Sequence, residues 1–168
     1  MKEKTKLKIA FYFSVLSLIL MTISFLSTKR YEFLSYSIVL LILTFVIALF
    51  NKQLHITFNS ALGLIFMGAI HIAGGYLYLD GTRLYDFWLI PNVLKYDNIT
   101  HFIGSFILVF VAHGFLKYHL DKKILSNKLL YAIILITLAG GLQSFNELSE
   151  FSTTIFLDGS KGVGSYFN

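Results

Sequence analysis

Residues 96–116 read YDNITHFIGSFILVFVAHGFL, and this stretch indicates both the fold class and where to look for a site. It opens with Asp97 and His101 and continues as an apolar run long enough to cross a bilayer, which takes ~20 residues. On a helix, residues four positions apart share one face, one turn apart. An ionisable pair at the mouth of a membrane span is costly unless a partner stabilises it, so the pair indicates a functional site.

The composition of the whole chain is that of an integral membrane protein. Of its 168 residues, 56% are hydrophobic and 14% are charged, whereas about a quarter of the residues of a soluble domain are charged. The chain contains no cysteine, which excludes disulfides, thiolate metal sites and cysteine nucleophiles. The net charge of +5 is spread over short loops, a pattern typical of membrane orientation and lipid contact rather than of nucleic-acid binding.

Five apolar segments predict an all-α fold, an integral membrane bundle of about five transmembrane helices in a single domain over residues 1–168. The predicted spans are residues 9–27, 33–50, 56–79, 99–116 and 129–150. The first is longer than the ~7–15 apolar residues of a signal peptide and lacks an A-x-A-like cleavage site, so we expect it to be retained. Residues 80–95 are too polar to span, and Trp88 suits the membrane interface.

The distribution of basic residues favours a cytoplasmic N-terminus. With that orientation nine of the fourteen basic residues lie on the inner side, namely Lys2, Lys4, Lys6, Lys8, Lys52, Lys117, Lys122, Lys123 and Lys128. An excess of lysine and arginine in cytoplasmic loops is the usual guide to orientation. We therefore expect a multi-pass protein of the cell membrane whose partners are membrane lipids.

Three further ionisable residues belong to the same end of the bundle as Asp97 and His101. His71 lies in the third span, and Glu147 and Glu150 lie at the end of the fifth. Because the chain crosses the membrane once in each span, all five residues fall in one leaflet, which is the outer leaflet in the preferred orientation. Polar groups that meet there would stabilise one another, whereas scattered singly they would be poorly tolerated.

One face of the fifth span carries Gln143, Glu147 and Glu150 at positions i, i+4 and i+7. A carboxylate in hydrocarbon usually becomes neutral or finds a partner. The available partners are the two histidines of the site and Arg83.

The third span is rich in glycine around His71. Gly74 and Gly75 follow it at i+3 and i+4, which leaves a groove of bare backbone beside the imidazole. Small residues of this kind let neighbouring helices approach closely in lipid.

Each candidate residue also has an ordinary structural explanation. Asp97 and His101 fit an interfacial helix cap and a water-facing histidine, because helix starts favour aspartate. His71 fits a core histidine hydrogen-bonded to a neighbouring helix, and the two glutamates fit a frayed helix end in the headgroup region. The remaining histidines are interpreted as structural only: His55, His113 and His119.

Three short motifs resemble a known family. HIAGGYLY around His71, YDNITHFIGS around His101 and FNELSEF around the two glutamates resemble the YjdF-like family of small polytopic bacterial membrane proteins. An aspartate followed four positions later by a histidine at the start of a span, with a glutamate-bearing span next, is similar to the VanZ-like proteins associated with glycopeptide (teicoplanin) resistance. The resemblance covers residues 55–158 and implies a shared polar site. It also implies a further span after the tail, so that the chain is expected to be a fragment or a shortened member.

Three functions are open at this point. An enzyme would use Asp97, His101, Glu147 and Glu150 as an acid/base set on a lipid or lipid-linked headgroup. Its metal-dependent version would bind an unidentified divalent metal through His71, His101, Glu147 and Glu150, although the spacing matches no zinc signature such as H-E-x-x-H. A proton-coupled transporter would use the intramembrane His and Glu as a proton path, but these groups stop in one leaflet. A non-catalytic membrane component would use the polar cluster only to hold helices together.

Overall fold

The computed structural model describes residues 2–156, apart from the side chains of residues 31, 32, 149, 150 and 152–156. In chain order the elements are α1 (Glu3–Ser27), α2 (Tyr31–Leu49), α3 (Asn51–Leu54), α4 (Phe58–Tyr76), β1 (Tyr78–Leu79), β2 (Thr82–Arg83), a 3₁₀ turn (Leu84–Asp86), β3 (Trp88–Ile90), β4 (Leu94–Lys95), α5 (Tyr96–His119), α6 (Lys122–Ser126) and α7 (Lys128–Phe156).

The predicted all-α membrane bundle is confirmed. Within residues 2–156, four helices are long and apolar enough to cross a membrane: α1, α4, α5 and the Lys128–Leu148 part of α7. The apolar part of α2, Phe33–Leu49, is somewhat shorter. A membrane span takes ~17–25 residues, so α2 is at the lower limit of that range.

The helices differ from the predicted spans at their ends. α1 begins at Glu3, so Lys4, Lys6 and Lys8 lie on the helix and not in front of it. The helix of the third span, predicted at residues 56–79, is shorter at both ends. Thr57 caps α4 by accepting a hydrogen bond from the Ser60 amide at 3.2 Å, and the chain leaves the helix after Tyr76 to form β1. α7 continues to Phe156, beyond the predicted end at residue 150.

α4 is the central helix of the bundle. It packs against both α1 and α5, while α1 pairs with α2 and α5 pairs with α7. A core of Leu18, Phe25, Phe33 and Ile72 fills the junction of α1, α2 and α4. Since His71 precedes Ile72, α4 contributes neighbouring residues to this core and to the polar cluster described below.

The outer surface of the helices is apolar. Phe102, Phe106 and Leu129 are each more than half exposed, as are many other large apolar side chains. On a soluble protein such a surface would bind or aggregate, whereas in a bilayer it contacts lipid. A polar contact joins α1 to α2, where the Thr22 hydroxyl donates to the buried Ser37 hydroxyl at 3.0 Å.

Contacts between helix ends define two ends of the bundle. A carboxylate oxygen of Glu3 accepts a hydrogen bond from the Phe58 amide at 2.7 Å, which joins the start of α1 to the start of α4. His113 and Tyr131 are hydrogen-bonded at 2.9 Å, which joins the end of α5 to the start of α7. We call this side the N-terminal end, and the opposite side, which carries residues 77–95, the loop end.

Residues 77–95 fold into two small hairpins over the loop end. β1 pairs with β2 across Asp80 and Gly81, whose φ angles are 50° and 76°. Two successive positive φ angles are what a tight two-residue hairpin turn requires, and Asp-Gly is a preferred sequence for it. β3 pairs with β4. Between the hairpins, the 3₁₀ turn packs against α4 and α5 and buries Tyr85, which is 2% exposed.

Candidate functional site

The site begins in the first two turns of α5. The Asn98 side chain accepts a hydrogen bond from the Lys95 amide at 2.9 Å, which fixes the start of the helix. Asp97 therefore lies in the first turn and His101 in the second. Their side chains meet, with His101 Nε2 at 3.1 Å from Asp97 Oδ1.

The second ring nitrogen of His101 faces α7. His101 Nδ1 lies 3.0 Å from Glu147 Oε1 and 2.6 Å from Gln143 Nε2. The Gln143 amide also donates to Glu147 Oε1 at 3.5 Å. A Cβ added at Gly104 would lie 3.3 Å from the Met67 sulfur and 3.9 Å from Gln143 Oε1, so this glycine keeps α4 and α7 close to α5 just below the histidine.

The contacts of His101 can be satisfied in two protonation states. An ionised carboxylate only accepts hydrogen bonds, so a doubly protonated His101 donates to both Asp97 and Glu147. A neutral imidazole with its proton on Nε2 donates to Asp97, and its Nδ1 accepts a hydrogen bond from the Gln143 NH₂ group. Gln143 suits both states, because its amide can present either the NH₂ group or the carbonyl oxygen to Nδ1.

His71 lies directly beside His101. The centroids of the two rings are 5.8 Å apart and their planes are nearly perpendicular, at 82°. His71 is 9% exposed, and its Nδ1 is hydrogen-bonded to the hydroxyl of Tyr85.

The structure thus gathers four of the five residues that the sequence singled out: Asp97, His101, Glu147 and, by ring contact, His71. The side chain of Glu150 lies outside the described part of the chain. The catalytic and metal-binding roles assigned to these five residues stay predictions.

Tyr85 is the residue of this cluster that the sequence analysis missed. Its ring and that of Tyr96 lie over Gly74, where an added Cβ would be 3.1 Å and 3.0 Å from their respective Cε1 atoms. The Tyr96 hydroxyl donates to the Ile70 carbonyl at 3.0 Å. The glycine beside His71 therefore accommodates one tyrosine ring from the 3₁₀ turn and one from the first residue of the neighbouring helix α5.

The side chains of the site become more exposed to solvent from Tyr85 and His71 toward Asp97 and Glu147. Tyr85 and His71 are buried, whereas the side chains of His101, Asp97 and Glu147 are 20%, 30% and 41% exposed. The pocket lined by Phe33, Tyr36, His71, Ile72 and Tyr85 is only about 10 Å³, about the size of one water molecule. A larger ligand would have to approach from the side of Asp97 and Glu147.

Arg83, which the sequence indicated as a possible partner for the glutamates, forms an ion pair with Asp86. Its Nε and Nη2 each lie 3.0 Å from Asp86 Oδ2. The pair is three residues apart within the loop.

Among the side chains that the structure describes, no group of three or more His, Asp or Glu has an arrangement that would hold a metal ion. Both ring nitrogens of His101 already face carboxylate oxygens, so a metal at either nitrogen would displace one of these contacts. The described residues therefore do not fit the proposed metal centre. The predicted ligand set also includes Glu150, whose side chain lies outside the described part of the chain. Metal binding by the full predicted set therefore stays a prediction.

A comparison with known protein families shows which family the chain belongs to. Residues 9–166, which include all the site residues named above, match the model of a family described as "Predicted membrane protein (DUF2238)". The chain belongs to the DUF2238 family. This match, together with the apolar helices of the DUF2238 chain, confirms the predicted multi-pass membrane location. Comparisons with curated proteins and with solved structures give no match.

The DUF2238 chain brings together side chains of the types that transfer protons. It combines an imidazole, whose unperturbed pKa lies near neutrality, with two carboxylates that hold it in place from α5 and from α7. An arrangement of this kind can remove a proton from one group and return it to another. Three histidines of the DUF2238 chain, His55, His113 and His119, lie at the N-terminal end, where His55 stacks on Tyr118 with ring centroids 4.0 Å apart.

Proposed function

We propose that this protein is a multi-pass protein of the cell membrane that uses His101, with Asp97 and Glu147, as an acid/base site acting on a lipid or lipid-linked headgroup. The observation that carries the proposal is the position of His101. Each of its ring nitrogens faces a carboxylate, at 3.1 Å and 3.0 Å, while its side chain stays 20% exposed. A purely structural histidine has no need of this access.

The exposed fractions of Asp97, His101 and Glu147, and the helices that carry them, suggest a role for each residue. Asp97 is on the same helix as His101, one turn away, so it orients the ring and stabilises its protonated form. Glu147 is the most exposed of the three, so it is the group that would exchange protons with a bound hydroxyl or water. General acid/base catalysis by positioned groups contributes typically ~10²–10⁴-fold to a rate.

The position of the site supports a headgroup as substrate. Asp97 is in the first turn of a membrane-spanning helix, and the first turns of such helices lie near the level of the headgroups. The accessible side of the site borders lipid-facing residues, since Phe102 and Phe145 are 73% and 69% exposed. A substrate carried by a lipid could therefore reach His101 from the bilayer.

A proton-coupled transporter receives less support. The next titratable residue along α5 is His113, which is twelve positions and about 18 Å further on, and it is hydrogen-bonded to Tyr131 at the N-terminal end. The intervening residues of α5 are apolar or small. The site suits chemistry at one face of the membrane better than passage through it.

A non-catalytic role is the second candidate, and one observation favours it. His101 and Glu147 join α5 to α7 through a direct contact at 3.0 Å. Hydrogen bonds between membrane helices stabilise their association, on average by ~0.6 kcal/mol. The experiment below separates this role from catalysis.

The proposed orientation has the N-terminus in the cytoplasm. Nine lysines cluster at the N-terminal end, where the described acidic residues are Glu3 and Asp121. At the loop end the described basic and acidic side chains are equal in number. The basic residues are Lys29, Arg30, Arg83 and Lys95, and the acidic residues are Asp80, Asp86, Asp97 and Glu147. The positive-inside rule then favours the loop end, and with it the site, on the outer face.

Within the DUF2238 family, we propose that the chain is related to the YjdF-like proteins of bacteria and, more distantly, to VanZ-like proteins. The support is the set of motifs around His71, His101 and Glu147, whose histidine and carboxylate side chains come together at the loop end. This relation suggests the same kind of site and leaves the reaction to experiment.

The test compares His101→Asn with a matched control, His113→Asn. Both histidines are on α5 and both are hydrogen-bonded to a neighbouring helix. A deletion strain of the source organism is complemented with the wild type, with either variant or with Glu147→Gln. Total lipids and lipid-linked headgroups are then compared by mass spectrometry, and the melting temperature of each purified protein is measured in detergent.

Catalysis predicts that the wild type and His113→Asn restore the same lipid species, while His101→Asn and Glu147→Gln do not although they still fold. Lipid profiles that are identical with and without the wild-type gene would refute the proposal. If the loss of effect follows the loss of melting temperature across all variants, the site is structural.

A further inference from the structure

One side chain of residues 77–95, that of Tyr85, is buried between the helices of the bundle. Tyr85 lies in the 3₁₀ turn between the two hairpins, is 2% exposed and is hydrogen-bonded to Nδ1 of His71. Its ring is also 6.0 Å from that of His71 and 6.3 Å from that of Tyr96, centroid to centroid. The loop is therefore anchored at the imidazole that borders His101.

The chemistry of the phenol and the imidazole decides which of the two donates in this hydrogen bond. A neutral imidazole has one nitrogen that donates and one that accepts. The phenolic hydroxyl is a good donor, whereas its oxygen is a weak acceptor because its lone pair is delocalised into the ring. A phenol paired with the unprotonated nitrogen of an imidazole is the stronger combination, so the Tyr85 hydroxyl donates and Nδ1 of His71 accepts.

We propose that Tyr85 is a positioning residue of the site: its hydrogen bond fixes His71 as the tautomer with the proton on Nε2 and holds that ring perpendicular to His101. The partner on one nitrogen of a histidine decides which nitrogen carries the proton. The catalytic meaning of this inference rests on the proposed acid/base function, whereas the tautomer itself does not.

The geometry around His71 explains why the orientation matters. The ring contacts Tyr36 on one side, at 6.5 Å between centroids and nearly parallel, and His101 on another, at 5.8 Å and nearly perpendicular. If the His71 ring turned, its edge and its N–H group would move relative to His101. A loop residue that locks this ring therefore connects the outer surface of the protein to the acid/base site.

The experiment reads the tautomer directly by ¹⁵N solid-state NMR of ring-labelled histidine, with the protein in lipid bilayers. Three of the five histidines lie at the N-terminal end, namely His55, His113 and His119. Their replacement by glutamine leaves only the imidazole signals of His71 and His101. Asp97→Asn marks the signal of His101. The test variant is Tyr85→Phe, and its matched control is Tyr96→Phe, which removes a hydroxyl from a ring packed on the same Gly74 but bonded to a carbonyl.

We expect the wild-type His71 signals to show a proton on Nε2 and an unprotonated, hydrogen-bonded Nδ1. In Tyr85→Phe the Nδ1 signal should move downfield or split between two tautomers, and in Tyr96→Phe it should stay in place. The inference is overturned if Nδ1 of His71 carries the proton in the wild type. It is also overturned if Tyr85→Phe leaves the His71 signals unchanged, or if the imidazole that responds to it is the one marked by Asp97→Asn. The wild-type spectrum decides even where Tyr85→Phe fails to fold.

The lipid measurement described above separates this inference from the proposed function. If both hold, Tyr85→Phe lowers the amount of restored lipid species about tenfold, and Tyr96→Phe, at a similar melting temperature, does not. An inactive wild type with the expected spectra refutes the function alone. An active wild type with unchanged spectra in Tyr85→Phe refutes the positioning role alone.

Discussion

Gly75→Ala should destabilise the protein strongly, because a methyl group at this position has no room. A Cβ at Gly75 would lie 1.9 Å from Cε1 and 2.3 Å from Cζ of Phe33. Carbon atoms in contact stay ~3.5–4.0 Å apart, so the Phe33 ring would have to move by roughly 1.6–2 Å. That ring is 8% exposed and packs against Phe25 with centroids 5.6 Å apart, so it cannot move without disturbing the core.

Overpacking of a well-packed core costs typically ~1–3 kcal/mol and occasionally more. We expect the upper part of this range, about 3 kcal/mol, because the overlap involves two ring atoms of a buried side chain. For a chain of this length, 1 kcal/mol corresponds to ~2–4 °C in melting temperature. The variant should therefore melt roughly 6–12 °C below the wild type.

The measurement is thermal unfolding of detergent-purified protein followed by fluorescence-detected size exclusion. Gly68→Ala is the matched control on the same helix, since its Cβ would meet Leu40 at an ordinary 3.8 Å. It should melt at or above the wild-type temperature, because alanine favours the helix. Adding Phe33→Ala to Gly75→Ala should recover part of the loss. Equal melting of Gly75→Ala and Gly68→Ala would refute the reasoning.

Three further predictions follow from other contacts. A double-mutant cycle of His101→Ala and Glu147→Ala should give a coupling energy of about 0.5–1.5 kcal/mol in detergent unfolding, and strictly additive effects would contradict a direct bond. Glu3→Ala should lower the free energy of unfolding by about 1 kcal/mol, because the first amide of α4 loses its acceptor; Glu3→Gln, which keeps an oxygen there, should lose less. Since the chain has no cysteine, Val93→Cys at the exposed loop end should react with an impermeant maleimide in intact cells and Lys4→Cys only after permeabilisation, and the opposite pattern would reverse the proposed orientation.

The sequence predicted the bundle and the end of it at which the polar residues gather, for related reasons. Hydropathy located the helices because lipid demands long apolar segments. The alternation of crossings then assigned His71, Asp97, His101 and Glu147 to one end. The contacts of His101 with both carboxylates follow from that assignment, because ionisable groups in the same leaflet stabilise one another.

The parts that could not be predicted depend on the loop and on side-chain shape. Asp-Gly is a preferred sequence for a hairpin turn, but nothing local indicates that Tyr85, two residues after the hairpin, reaches His71. Gly75 was interpreted as a site for helix approach, and the structure fills it with the ring of Phe33. The ion pair of Arg83 with Asp86, three residues away within the loop, was not anticipated, and the expected proximity of Arg83 to the glutamates stays a prediction.

The order in which the parts of the site are synthesised has a consequence for its biogenesis. α5, which carries His101, is inserted before α7, which carries Gln143 and Glu147, so in a partly inserted protein Asp97 is the carboxylate beside His101. Only insertion of α7 supplies the second carboxylate. A chain arrested before that step would expose an incompletely paired imidazole at the membrane surface, a difference by which membrane quality control could tell unfinished copies from finished ones.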